Sequence, residues 1–389
     1  MALSADDISF LHYKAPITRQ SLKATRNMAS CNPSILESLS LSLLSFLFFT
    51  LLLASLNFYA LNSISTGTVD QADALLKWKA TLNNQSQSVL HSWTLLHRNA
   101  TNSSLRSHPW CSWIGIACDQ RGIITDINLP SMGLQGMVNN FPIPSFPALT
   151  TLNLTNNKFL GTVPSNIANL SVINYLDLSM NQFSGLIPYE ICLLTSLKIL
   201  FLDQNNFNGS IPNRMGRLKD LTILALYSNN LSGFIPESLG TIPQEIGNLK
   251  KLNSLSLESN NLVGVHGQNG TRSQLRFLIC ASMIQLHGEF STWGQCQNLQ
   301  ALRMAGNNIT GKIPLELGML TQLHFLDLSS NHLYGDIPKE FGELTSLLNL
   351  SLSGNQLSGS LPLEVGRLSS LTNLDLSSNS LSGKIPKET

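Results

Sequence analysis

A right-handed α/β solenoid, with a parallel β-sheet along its concave face and a helical N-terminal cap, is the fold class this sequence predicts. Three observations predict it. Between Leu323 and Pro386 one phrase occurs three times, as LDLSSNHLYGDIP, LSLSGNQLSGSLP and LDLSSNSLSGKIP. The asparagines of these phrases, Asn331, Asn355 and Asn379, are 24 residues apart. A fixed period of this length describes a stack of like units, each touching only its neighbours. Charged residues make up only 12% of the 389 and the formal net charge is +1. That balance gives no electrostatic footprint for nucleic acid or for an anionic membrane surface, so a surface of the stack is where recognition is expected.

The unit reads LxxLxLxxNxLxGxIP, the pattern of a leucine-rich repeat, and each of its positions has a physical reason. Leucines such as Leu197, Leu200 and Leu202 are expected to point inward and stack on their counterparts, each contributing about 1.5 to 3 kcal/mol of burial. The asparagine turns inward where the chain leaves the strand, and its amide satisfies backbone groups that would otherwise be buried unpaired. Glycine allows the tight backbone path that follows, and proline suits an edge that donates no hydrogen bond. The expected ladder is Asn157, Asn181, Asn205, Asn229, Asn260, Asn307, Asn331, Asn355 and Asn379. One worn coil precedes it, with Ile124, Ile127 and Leu129 in leucine positions and Met132 where the asparagine should stand.

Ahead of the repeats lie two segments of other kinds. Residues 28–63 contain LSLSLLSFLFFTLLLASLNFYAL, a stretch without charge from Leu39 to Leu61 that is long enough for a secretory signal or, at the limit, a membrane-spanning anchor. Residues 1–27 form a leader carrying Lys14, Arg19, Lys23 and Arg26, which would hold that side cytoplasmic if the segment were an anchor. Both readings place the repeats outside the cytoplasm. Residues 70–118 are expected to close the open end of the stack: Ala74, Leu75, Leu76, Trp78 and Leu82 fall at helical spacing, and a second helix is expected around Val89 to Trp93. Within WCSWIGIAC, Cys111 and Cys118 read as a disulfide in an exported chain, contributing roughly 2 to 3 kcal/mol to the cap on a chain-entropy basis. No second Cys or His pair follows at zinc-ligand spacing.

The repeats proper occupy 119–389, about eleven coils, and break period twice. From Asn229 to Asn260 the interval is 31 residues, either a seven-residue insertion or two coils fused with a loss. From Asn260 to Asn307 it is 47, with the template nearly lost over 263–284, where Arg276, Ile279 and Ala281 stand at the expected leucine positions and Ile284 at the asparagine. Neither Cys280 and Cys296 nor the nearby His266 and His287 show metal-ligand spacing, and no pairing is assigned to Cys192, Cys280 or Cys296.

Side chains between the paired leucines should line the concave wall. Phe201 and Tyr227, edged by Asp203 and Glu258 on consecutive coils, form a first candidate site suited to an extended basic peptide; Arg303, His324 and Asp327 form a second. Glycosylation sequons begin at Asn84, Asn99, Asn102, Asn153, Asn169, Asn208, Asn230, Asn269, Asn308 and Asn349, of which Asn153 and Asn349 would put sugar on the concave wall. Carboxylates are spread one per coil, so no catalytic set, metal site or cofactor is expected.

Trp110 to Cys118 resembles the plant-type N-terminal cap of leucine-rich repeat receptors, and LxGxIP at Gly185–Pro188, Gly233–Pro236 and Gly311–Pro314 resembles the plant-specific repeat. More narrowly, WGQCQNLQALRMAGNNITGKIP and TQLHFLDLSSNHLYGDIPKEFGELTSLLNL resemble the receptor-like kinases that interact with the male-discoverer receptor. The resemblance implies an ectodomain that binds a secreted peptide or cell-wall protein and recruits a leucine-rich repeat co-receptor at the plasma membrane. No glycine-rich phosphate loop or kinase catalytic-loop motif is present, so kinase activity is not carried over. Thr389 falls inside a coil with no closing unit, which reads as a truncated product or incomplete gene model of a longer receptor. A secreted inhibitor similar to the polygalacturonase-inhibiting proteins, and an inactive receptor fragment, are the alternatives.

Overall fold

The computed structural model describes residues 70–95, 108–234, 249, 251–265, 277–280, 285–289 and 296–384, all within the compact unit Gly67–Thr389. The leader, the apolar segment and the sequons at Asn99, Asn102 and Asn269 lie outside these residues.

Two sheets run the length of the stack. In chain order the strands are β1 (Ile116–Cys118), β2 (Ile124–Asn128), β3 (Gln135–Met137), β4 (Thr151–Asn153), β5 (Lys158–Gly161), β6 (Tyr175–Asp177), β7 (Gln182–Leu186), β8 (Ile199–Phe201), β9 (Asn206–Gly209), β10 (Ile223–Ala225) and β11 (Asn230–Phe234). They continue as β12 (Ser254–Ser256), β13 (Asn261–Val265), β14 (Phe277–Ile279), β15 (Gln285–Glu289), β16 (Ala301–Arg303), β17 (Asn308–Lys312), β18 (Phe325–Asp327), β19 (His332–Gly335), β20 (Asn349–Ser351), β21 (Gln356–Leu357) and β22 (Asn373–Asp375). The even-numbered strands form a parallel sheet that β1 extends by antiparallel pairing with β2, giving 12 strands. The odd-numbered strands from β3 to β21 form a second, ten-stranded parallel sheet. This second sheet comes from NxLxGxIP, which the sequence marks as a turn followed by an edge. Short 3₁₀ turns such as Tyr189–Leu193 and Lys339–Glu343 close the regular coils opposite the first sheet.

The register is set by leucine. Leu152, Leu176, Leu200, Leu224, Leu255, Leu278, Leu302, Leu326 and Leu350 pair in one unbroken row. All are buried, because a one-residue slip in any strand would turn its leucine to the solvent side. A row of aromatic rings runs beside them: Phe159, Phe183 and Phe207 stack at 6.4 and 6.2 Å, and Trp78 of the cap stacks on Phe159 at 5.9 Å.

The ladder works by amide chemistry. Asn181 Nδ2 donates to the carbonyls of Leu154, Leu178 and Ser179, and its Oδ1 accepts from Phe159 N. Each such asparagine therefore ties its own coil to the preceding one. The residue before it is left-handed throughout, as at Met180 (φ 54°) and Gln204 (φ 52°), and Gly306 and Gly354 take that position in two coils.

The cap comprises α1 (residues 70–81) and α2 (Asn84–Val89). The second helix thus begins five residues earlier than Val89 and ends where it was expected to start. Asn83 is the reason, since its side chain caps the helix by accepting from Ser86 N at 2.8 Å. Beyond α2 the chain turns, and Trp93 stacks on Trp113 at 5.7 Å. Cys111 and Cys118 are joined by a disulfide.

Both breaks in period are coils of altered length. Strand β10 pairs directly with β12, so the 31-residue interval spans one coil and not two. In the other break β14 pairs with both β12 and β16, and the buried residues are Leu278 and Cys280. The leucine positions are therefore one residue earlier than Ile279 and Ala281, because Leu255 and its partner Leu278 are 23 residues apart where the regular coils have 24. Ile279 faces the wall instead, in line with Ser256 and Arg303.

Candidate functional site

Three columns of side chains cover the concave face of the first sheet. One runs through Tyr175, Ile199, Ile223, Ser254, Ala301 and Phe325, and a second through Asn153, Asp177, Phe201, Ala225, Ser256, Ile279, Arg303 and Asp327. A third lies two residues further on, at Ser179, Asp203, Tyr227 and Glu258.

The first candidate cluster is brought together, with its parts in unequal roles. Phe201 meets Tyr175 edge-on at 6.1 Å. The Tyr227 hydroxyl donates to Asp203 and accepts from Gln204 Nε2 at 3.1 Å, which fixes the ring. Asp203 is only 4% exposed, so it supports Tyr227 from beneath and does not reach a ligand. Its burial raises its carboxyl pKa, and Asp177 raises it further. Glu258 stands at the wall, partly buried, with its pKa raised by burial and then by Asp203, against the pull of Arg303. Its Oε2 is enclosed without a hydrogen-bond partner.

The second candidate cluster is only partly brought together. Arg303 and Asp327 are register partners on β16 and β18, and neither takes part in an ion pair among the described residues. His324 lies one residue ahead of β18 and outside all three columns, because its place before the strand belongs to the edge of the wall.

Two neighbours of the first cluster carry no mark in the repeat template. Tyr175 donates to Asp177 Oδ2 at 3.2 Å, and burial followed by Asp177 pushes its phenol up to about 12. A cavity of about 640 Å³ adjoins it, lined by Asp126, Asn128, Thr151, Asn153, Asn174 and Tyr175. Reading the column one place before the paired leucines as well as the two after it would have found Tyr175.

Sequon placement divides in two. Asn169, Asn208, Asn230 and Asn308 are exposed away from the wall, and Asn84 is exposed at the start of α2, although Ser86 of that sequon is buried. Asn153 and Asn349 sit within wall strands, where Asn153 Oδ1 accepts from Thr155 N at 3.0 Å. Among the described residues no group of His, Cys, Asp or Glu is placed to hold a metal ion, and no helix is long and apolar enough to cross a membrane.

Comparison with known proteins agrees with this geometry. Residues 69–119 match the leucine rich repeat N-terminal domain, and 147–207, 220–249, 298–320, 322–344, 346–368 and 370–389 match leucine rich repeats. MDIS1-interacting receptor like kinase 2 of Arabidopsis thaliana is 42% identical over 99 residues, 25% of this chain and 9% of that protein. A probable leucine-rich repeat receptor-like protein kinase of the same plant is 37% identical over 105 residues, 27% of this chain and 9% of that one. The aligned parts are thus about a tenth of the length of these relatives. Among solved structures, the Arabidopsis HAESA ectodomain in complex with an N-terminally extended IDA peptide hormone is similar at TM-score 0.65 and 26% identity, over 81% of this chain and 54% of that one. The Arabidopsis GASSHO1/SCHENGEN3 ectodomain in complex with CASPARIAN STRIP INTEGRITY FACTOR 2 is similar at 0.63 and 29%, over 82% and 42%. A plant ice-binding protein is similar at 0.54 and 26%, over 82% and 88%. The chain belongs to the leucine-rich repeat family, in the form found in the ectodomains of plant receptor-like kinases.

Proposed function

We propose that this chain is the extracellular ligand-recognition module of a plant receptor-like kinase, holding an extended peptide or a co-receptor along its concave wall so that receptors associate. The observation that carries the reading is the wall itself. Strands of about 4.8 Å spacing present a row of aligned side chains roughly 50 Å long, the length of an extended peptide of some fifteen residues. At its middle stand Phe201 and the anchored ring of Tyr227, large rigid groups of the kind that carry binding energy. The peptide complexes of HAESA and GASSHO1/SCHENGEN3 support the same use of the fold. The reading gives the chain no catalytic step of its own and places its repeats outside the cell, a secretory route for which the apolar stretch Leu39 to Leu61 argues.

The test is to pan a display library of linear twelve-residue peptides against the secreted full chain and its Phe201→Ala/Tyr227→Ala variant. Binders enriched on the first and weakened about tenfold or more on the second would support the reading. Failure to enrich any binder, or equal binding to both, would overturn it.

A further inference from the structure

The end of the wall nearest the cap holds the cavity of about 640 Å³, and a glycosylation sequon opens into it. The first sheet builds the cavity in two register rows. Asp126, Thr151 and Tyr175 pair across β2, β4 and β6, and two residues further along Asn128 pairs with Asn153. Asn174, just ahead of β6, also lines it, and Gly115 with the start of β1 bounds it where the sheet ends. Its size lies within the about 300 to 1,000 Å³ of cavities that hold small ligands.

The lining favours a neutral, hydroxyl-rich occupant. No Lys or Arg lines the cavity, and its one carboxylate, Asp126, already accepts from Thr125 Oγ1 at 2.7 Å and Thr150 Oγ1 at 3.4 Å. The side chains of Asn128 and Asn174 take part in no hydrogen bond among the described residues, and neither is buried. Each primary amide donates and accepts at once, as a sugar hydroxyl or an acetamido group requires, and the Tyr175 ring adds apolar surface. An anion would face Asp126, and an apolar group would strip water from the amides without replacing it.

Asn153 supplies such an occupant. It begins Asn-Leu-Thr, and its Oδ1 is held by Thr155 N at 3.0 Å. Its Nδ2 has no hydrogen-bond partner and is not enclosed, in a half-buried side chain that lines the cavity. A sugar on that nitrogen is one bond from the cavity, and so short a tether gives an effective concentration of about millimolar or more.

We propose that Asn153 is N-glycosylated and that the cavity seats the first N-acetylglucosamine of this glycan among Asn128, Thr151, Asn174 and Tyr175. The attachment joins Asn153 Nδ2 to the anomeric carbon of a lipid-linked oligosaccharide, displaces its lipid diphosphate and releases one amide proton, before the chain folds. The proposal rests on the secretory part of the preceding reading. With this end filled, a ligand is confined to the eight strands from β8 to β22, about 34 Å of wall and about ten extended residues.

The reference is Asn169, an exposed sequon at the end of the 3₁₀ turn Ser165–Asn169. The full chain secreted from plant cells is analysed by glycopeptide mass spectrometry, then treated while folded with an amidase that cleaves between asparagine and sugar. Sugar on Asn153 is expected, released about tenfold or more slowly than sugar on Asn169, and at an equal rate once the chain is denatured. Replacing Asn128 and Asn174 with Ala should abolish the difference and leave the melting temperature unchanged. Sugar on Asn169 with none on Asn153, equal release from the folded chain, or a difference that survives the double substitution overturns the proposal and leaves the secretory reading standing. Absence of sugar from every sequon overturns both. Chitobiose that binds the Asn153→Gln chain in saturation-transfer NMR, while the unsubstituted chain carries no sugar at Asn153, would assign the cavity to a foreign saccharide and likewise overturn it.

Discussion

Replacing Asn157 with Ala should destabilise the chain more than the same change at Asn181, although both side chains are equivalent in the repeat. Asn181 Nδ2 donates to the carbonyls of Leu154 and Leu178 at 2.9 and 3.2 Å, but those carbonyls also accept from Asn157 and Asn205 at 2.9 Å each. Its loss therefore strands one buried group, Phe159 N, which it holds at 3.0 Å. One orphaned buried donor costs about 1 to 3 kcal/mol. Asn157 stands at the start of the ladder, after Met132, and has no amide behind it. Its Nδ2 donates to Leu129 O at 2.8 Å, and its Oδ1 accepts from both Leu134 N at 2.9 Å and Met132 N at 3.1 Å. Two fully buried groups and one part-buried group are stranded, which places the cost at about 2 to 5 kcal/mol. Urea unfolding of the secreted chain followed by circular dichroism gives the two stabilities, and amide hydrogen exchange at Leu134 and Phe159 gives the local effect. Equal costs at the two positions, or retained protection at Leu134 in the Asn157→Ala chain, would refute the reasoning that each amide is backed up by its predecessor.

Two further predictions use contrasts within the molecule. A methyl group at Gly342 would lie 2.5 Å from Glu364 O of the next coil, whereas one at Gly366, the same template position, meets nothing within 4 Å. Gly342→Ala should cost about 1 to 3 kcal/mol in thermal unfolding, and Gly366→Ala should be neutral or stabilising by a few tenths; similar melting temperatures for the two would contradict it. The raised pKa of Asp203 means that the folded chain binds its proton more tightly than the unfolded chain does. This group therefore costs stability at neutral pH, a cost that disappears as pH falls through the raised value toward the unfolded one. Asp203→Asn should remove that part of the pH dependence while leaving the acid losses due to Asp119 and Asp220, whose pKa values are lowered. A stability profile between pH 4 and 8 that is unchanged by the substitution would count against it.

What was legible in the sequence follows from how strictly each position is constrained. The leucine row and asparagine ladder can be read because few residue types fit each place. Leucine fills the space between coils, and a primary amide donates and accepts at once, so Asn157 through Asn379 are marked by composition alone. The second sheet was hidden because NxLxGxIP carries no alternation long enough to read as a strand: β21 has two residues and none of the ten exceeds five. Its partners are supplied by neighbouring coils. The broken coil at Leu278 was misread by one residue because Cys280 fills a leucine place, and the residue three further on, Met283, has no amide to mark the count.

The wall is less constrained, which is why it serves recognition and why the sequence reads it poorly. Spacing can put Phe201, Asp203, Tyr227 and Glu258 on consecutive coils, but it cannot say which of them faces outward. Asp203 and Glu258 are both carboxylates in the same column, on the coils either side of Tyr227. Asp203 is sealed under a hydroxyl, and Glu258 keeps an unmatched oxygen. The two differ in exposure: Asp203 is buried with Tyr227 beside it, whereas Glu258 is half-buried, although its Oε2 is itself enclosed. A repeat fold thus fixes where a ligand-binding residue can stand, and the packing of its neighbours decides how much of it reaches the surface.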